Sequence, residues 1–533
     1  MTMSGSKNQT LKSLIDAHGW LGVIISVALF IVFWAGSIIM FMPELHRWAE
    51  TPAHPVDPAA NDLPMATVVD NVLEQYPLNT EEHLTIVRAN AQRPYHIFYI
   101  DLLGTAGTTT EVGTESPVTH PQDSVAELRI DPKTGDIVGD LHQFNLPDFL
   151  FRLHYDLRLP GGVYLVGLVT LFFLVLIFTG ISIHAPKLFR HFFLYRPART
   201  RNKLLDMHNI IGVMSLPFSL MFALTGLIFN LSLVFQIAIA LALYQGDIGT
   251  LLEDAGYPVI EEAVAGEPMD MSAAWQTISD LETEYDTRFS LMRFHNYGDQ
   301  NGILEVYWQD ETQFIQGQEW YFRLSDGQAI SENVRGNNVM RQGLEVVAAL
   351  HFGTFAGFEL RFLYFVLGMG VAGMIVVGNL MWLDKRKKQA TTGTHRFISG
   401  MTLGGCMGTV VATSVIFLAE RILPLDWVDR GEWIGRLFAT SLSFYVIACC
   451  LSPQPRQMIR YGLFSSGVLA LLTIIAGWVL YGSTQLPLWQ DGYRAVIGVD
   501  LGLLAYAVLA FWVARVLSPR GIQGLAQNAP SAT

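Results

Sequence analysis

Two histidines, His18 and His208, stand in matching company. Each follows an aspartate by two residues (Asp16, Asp206), precedes a Gly-Val pair by four and five (Gly22-Val23, Gly212-Val213), and has a further glycine eighteen residues on, Gly36 or Gly226. Eighteen residues make five whole helical turns, and four return to within about 40° of the start. Each imidazole therefore shares a helix face with two residues that have no side chain. Such a face can ligate the metal of a flat macrocycle and let the ring lie against bare backbone. The competing explanation is a histidine at a membrane boundary with glycines for helix packing; the repetition favours the ligand reading. Asp16 and Asp206 lie about 160° around the helix from their histidines, so they are expected as first-turn charges favoured by the helix dipole.

The repetition goes further. Leu153-His154 and Leu350-His351 each precede an apolar run that ends, about 33 residues later, at a basic stretch beginning near Lys187 or Lys385. The chain thus reads as a duplicated unit: a histidine on a helix, an intervening polar segment, a second histidine and a helix back. His184 closes the second apolar run where the fourth has Trp382 or a neighbour, and it is kept as a reserve ligand. Arg152, Arg158 and Arg361 flank the second histidines and could meet carboxylates of a bound group, or could simply snorkel at a membrane boundary. Pro160-Gly161-Gly162 separates His154 from the following run, which is expected to leave its ring on a turn.

These elements must be set in a bilayer. Of 533 residues, 51% are hydrophobic and 15% charged, a balance that points to a polytopic α-helical membrane protein. Runs long enough to cross a hydrocarbon core of about 30 Å occur near 20–42, 162–185, 209–243, 360–383, 397–419, 434–452, 459–482 and 493–517, about eight spans. The run at 209–243 is too long for one straight span, so Pro217 is expected to kink it or its far end to lie along the interface. Segments 187–203 and 384–396 are basic and should be cytoplasmic. The first span is too long for a signal-peptide core and reads as a retained anchor.

The expected organisation follows: a tail and first span (1–42), a first outer module (43–161), the second and third spans with a basic loop (162–245), a second outer module (246–345), an outer histidine segment with the fourth span (346–390), and a four-span extension (391–533). Both outer segments look like α+β modules. In the first, 65–76 has helical spacing and 124–144 reads as two strands joined at Asp131-Pro132-Lys133-Thr134-Gly135; in the second, 272–285 is the helix, and 302–309 and 319–330 are strands with a turn at Ser325-Asp326-Gly327. The formal charge of −13 resides mostly in these segments: 43–160 has 18 acids against 7 basic residues, and 246–345 has 19 against 5. Such acidity argues against nucleic acid as a partner.

Cysteine narrows the cofactor chemistry. Cys406, Cys449 and Cys450 all lie in apolar runs and none is in a C-x-x-C-H setting, so iron–sulfur clusters and covalently attached haem are out. A bound haem would be b-type. Gly404-Gly405-Cys406-Met407-Gly408 lies in an apolar run and reads as helix packing. Asp500 and Glu420-Arg421 are the charges closest to the membrane in the last four spans. Substrate paths of transporters use broken helices and buried charges, and neither is evident.

The duplicated histidine helices, together with the hairpin Val125-x-x-Leu128-x-Ile130-Asp131-Pro132-x-Thr134-Gly135-x-Ile137, resemble the PepSY-associated transmembrane-helix family over roughly residues 10–390. The second module lacks the Asp-Pro-x-Thr-Gly turn and matches by position alone. The resemblance implies PepSY-like modules in the periplasm of a bacterial inner-membrane protein. Some members are ferric-siderophore reductases with two b-type haems among the first four helices. Two-fold symmetry would set His18 opposite His208 near the cytoplasmic face and His154 opposite His351 near the outer face, each a bis-imidazole site for haem iron. The expected function is a membrane dihaem oxidoreductase passing electrons outward to a ferric siderophore. No dinucleotide or flavin fingerprint appears, so the electron donor is a membrane quinol, a partner protein or a loosely recognised soluble reductant. Two alternatives stand beside it: PepSY modules acting as binding, inhibitory or sensor domains on a membrane anchor, and a siderophore or iron transporter.

Overall fold

The computed structural model describes residues 3–50, 62–79, 83–90, 95–102, 125–140, 146–184, 200–257, 263–309, 317–331, 334–387, 392–424, 427, 429–490 and 494–518. Most of the basic segment 187–203 lies outside these residues. In chain order come helices α1 (Met3–Ile38), α2 (Met42–Glu50) and α3 (Met65–Leu73), then strands β1 (His83–Val87), β2 (His96–Asp101), β3 (Val125–Ile130) and β4 (Ile137–Asp140). Seven helices follow: α4 (Leu146–Tyr155), α5 (Gly162–His184), α6 (Thr200–Met214), α7 (Leu216–Asn230), α8 (Ser232–Leu243), α9 (Ile248–Asp254) and α10 (Met271–Glu284). Strands β5 (Leu291–His295), β6 (Ile303–Gln309), β7 (Gly317–Arg323) and β8 (Ala329–Ser331) precede α11 (Val339–Phe352), α12 (Phe358–Arg386), α13 (Thr392–Ile422), α14 (Arg430–Leu451), α15 (Pro455–Gln490) and α16 (Arg494–Val516).

The chain divides into two compact units. The helical unit comprises 1–53, 144–235 and 350–533. By length and composition, seven described helices can each cross a membrane, or up to nine spans result if bent pairs count as one each. One such pair is α6 and α7, which meet at 64° across Ser215. Pro217 lacks an N–H and its ring crowds the preceding turn, so the run breaks just before it. The other is α8 and α9, bent by 100°. In the first part α1 packs against α4, α5, α12 and α13, α5 against α7, and α6 against α12. Further on, α13 packs against α14 and α15, and α15 against α16. Gly400, Gly404 and Gly408 of α13 lie so close to α14 that a Cβ would stand 2.3, 2.9 and 2.9 Å from Cys450, Cys449 and Leu442, respectively; this glycine run is a packing surface.

The second unit comprises 54–143 and 236–349. The two segments expected as separate modules contribute four strands each to one antiparallel sheet, in the order β4-β3-β2-β1-β5-β6-β7-β8. They join through β1 and β5, whose register runs from His83 opposite His295 to Val87 opposite Leu291. Alternate residues point to one face: Leu84, Ile86, Phe98, Ile100, Met292, Phe294, Leu304 and Val306 are buried there with Val68, Val69 and Val72 of α3 and Ala274, Ile278 and Leu281 of α10. The β3–β4 turn closes as its sequence predicts, with Gly135 at φ +74° donating to Asp131 O and the Asp131 carboxylate accepting from Lys133 N. The β7–β8 turn repeats that backbone without its letters: Gly327, at φ +69°, donates to Arg323 O, and Asp326 accepts from Gln328 N.

On the opposite face, Glu305 of β6 is held by Arg293 at 2.9 Å and faces His295 at 3.5 Å. Burial raises its carboxyl, but His295 and Arg293 outweigh it and hold the group below the usual glutamate range. A depressed folded-state pKa gives stability that is present above the unfolded value and lost as pH falls through the folded one. Glu305→Gln is therefore expected to flatten the acid limb of the unfolding profile below about pH 4.5, read by near-ultraviolet circular dichroism of the full chain.

Candidate functional site

The helical unit brings the four singled-out histidines together in two pairs. His18 of α1 and His208 of α6 have ring centroids 6.4 Å apart with planes at 86°. His154 of α4 and His351 of α11 have centroids 6.0 Å apart with planes at 44°. His154 lies within a helix, not on the turn that Pro160-Gly161-Gly162 led us to expect. Imidazole nitrogens bound to one metal from opposite sides at about 2 Å place their ring centres about 6 Å apart.

Each ring rests on a glycine of a neighbouring helix. A Cβ at Gly180 of α5 would stand 3.6 Å from His18, and one at Gly378 of α12 would stand 3.6 Å from His208. In the second pair, a Cβ at Gly36 of α1 would fall 2.6 Å from His154, and one at Gly226 of α7 would be 4.0 Å from His351. Gly36 therefore makes room for an imidazole, where its spacing from His18 had pointed to a macrocycle. Because Gly36 touches His154 and shares continuous α1 with His18, the two pairs are separated by eighteen residues of helix rise, about 27 Å.

The hydrogen bonds fix the protons. Thr225 donates its hydroxyl hydrogen to Met221 O at 2.8 Å, so its oxygen can only accept from His351 Nδ1, 2.8 Å away. Thr179 likewise donates to Val175 O and accepts from His18 Nδ1 at 2.9 Å. His154 Nδ1 is 2.8 Å from Val32 O, which has no hydrogen to give. In all three rings Nδ1 carries the proton, leaving the Nε2 lone pair for a ligand. His208 differs: Val377 precedes Gly378 where Thr179 precedes Gly180, and His208 Nδ1 is buried without a hydrogen bond, with the Met374 backbone as its polar neighbour. Phe222 and Phe229 wall His351, with ring centroids at 5.6 and 5.3 Å.

Other flagged residues fall into place. His184, at the end of α5, is within electrostatic reach of both His18 and His208. Arg361 is held by Glu44 through contacts of 3.0 and 2.8 Å, and Arg152 by Asp156 at 3.0 Å. Those guanidiniums already have carboxylates. Asp16 is not a first-turn charge, since α1 begins at Met3, and it accepts from Lys385 Nζ at 2.7 Å. Asp206 likewise sits beyond the first turn of α6. In the last helices Asp500 accepts from Trp48 Nε1 at 2.9 Å, Glu420 pairs with Arg430 at 2.9 Å, and buried Arg421 lies 3.7 Å over the Trp48 ring. Sequence reading missed Trp48; its only signal was an indole just past the first span.

The sequence profile of the PepSY-associated TM region matches residues 15–385, a stretch that contains all four paired histidines. The chain belongs to that family. It is a multi-pass membrane protein. An uncharacterized protein of Pseudomonas aeruginosa is 25% identical to it over 394 residues, covering 70% of this chain and 96% of that protein. Helices α13 to α16 lie beyond the family match.

Proposed function

We propose that this PepSY-family protein is a bacterial inner-membrane oxidoreductase that passes electrons outward to ferric iron, presented in a siderophore at the periplasmic face. In this reading the first part of the chain is a duplicated unit, His18 and His208 hold one b-type haem and His154 and His351 hold another. The observation that carries it is the pair of facing imidazoles, found twice, with Nδ1 occupied and Nε2 left as a donor in three of the four rings. A haem iron between two neutral imidazoles is a low-spin one-electron centre with no open position for oxygen. The protein's part is to fix ring orientation through Thr179, Val32 and Thr225, to keep water away with residues such as Phe222 and Phe229, and to set the pairs about 27 Å apart along α1.

The basic segments 187–203 and 384–396 orient the first pair to the cytoplasm, and the sheet unit then stands outside. The donor is a membrane quinol or another reductant. One electron converts Fe(III) to Fe(II), which is softer and less charged, so the hard oxygen ligands of a siderophore release it. Proteoliposomes with a reductant enclosed and a ferric siderophore outside, together with an Fe(II) trap, test the proposal. Trapped Fe(II) that depends on the enclosed reductant is expected; its absence overturns the reading.

Gly36 offers a narrower check. Gly36→Ala places a methyl 2.6 Å from the His154 ring, and such overpacking costs about 1–3 kcal/mol. The variant is expected to lose haem from the second pair and keep it at the first, measured as bound haem per chain.

A second reading, transport of the siderophore or of iron, draws on the bend between α6 and α7 and on the burial of Arg421, Glu420 and Arg430. Siderophore uptake without any reductant would favour it.

A further inference from the structure

One face of α12 is unfinished. Gly378, Trp382 and Arg386 follow at intervals of four, so they line one stripe of the helix. Gly378 lies against His208, and Trp382 lies against Gly19, the residue after His18, with 3.3 Å from a Cβ there to the indole Cδ1. The stripe therefore runs from the first histidine pair toward the basic end of the helix.

Among the described residues neither of its two polar groups is bonded to an acceptor. Trp382 is only 7% exposed, so it is no lipid-facing belt residue, and its Nε1 is buried without a hydrogen bond. Arg386 lies against both of two edge-to-face indoles, 4.2 Å from the Trp382 centroid and 4.9 Å from that of Trp20, and has no carboxylate bonded to it among the described residues. Asp16 feels its charge but bonds to Lys385. By contrast, Arg361 and Arg152 near the second pair are already paired with acids. A buried indole N–H without an acceptor costs free energy, and a planar fork of donors beside it matches a carboxylate.

We infer that Trp382 and Arg386 receive the carboxylate side groups of the haem held between His18 and His208. This rests on the haem reading above. A haem held there would lie with its acidic edge toward the end of α12, where Trp382 packs on Gly19 and His208 on Gly378. Arg386 acts as a positioning residue and as a fixed positive charge that favours the reduced iron.

The test is a redox titration of the purified full-length protein in the His351→Ala background, which isolates the first haem. Arg386→Gln is expected to raise its ratio of oxidised to reduced form at fixed potential about tenfold, a midpoint lower by about 59 mV. Trp382→Phe is expected to shift it in the same direction by less. Lys385→Gln, which removes the same charge from a lysine already paired with Asp16, is the reference. Midpoints in both variants that match the reference would overturn the inference and assign Arg386 to a lipid phosphate or to solvent, with the haem reading intact. A colourless protein would overturn both.

Discussion

Replacing His351 by alanine is expected to leave one b-type haem per chain in place of the two proposed, and to reduce ferric-siderophore reduction by more than about 100-fold. The ring is the only imidazole facing His154 among the described residues, with 6.0 Å between centroids. Thr225 holds it in the tautomer that offers Nε2. His154→Ala should behave in the same way. Haem content and Fe(II) release, measured on the same preparation, check the result; two haems in either variant would refute the ligand assignment.

His208→Ala is expected to remove the haem at the first pair and to abolish reduction driven by a donor on the cytoplasmic side, again by more than about 100-fold. The second haem should persist and still be reduced by dithionite added from outside. This distinguishes a route with an entrance and an exit from two independent sites. Full activity with the membrane donor in this variant would end the account of electrons crossing between the pairs. His184, which lies near both His18 and His208, is the residue to replace next should the first haem survive.

What was legible in the sequence divides along physical lines. Helical spacing announced the His18 and His208 faces, because a 3.6-residue repeat fixes which residues share a side. Pro217 announced the break that falls at Ser215. The Asp131-Pro132-Lys133-Thr134-Gly135 turn announced its hairpin, since Gly135 takes a left-handed backbone angle there. Contacts between distant segments left no such signature. That Gly36 would receive His154, that Glu44 would claim Arg361, and that β1 would pair with β5 across two hundred residues all depend on packing that no local pattern encodes. The short strands β1 and β5 were unread for the same reason, since five residues hold too few alternations to stand out.

The most direct test of the central claim is the dithionite-reduced minus oxidised absorbance spectrum of the detergent-purified protein, with pyridine haemochrome quantification. Two b-type haems per chain with sharp low-spin bands are predicted. A colourless protein would contradict the account and leave binding or transport as the function of this membrane protein.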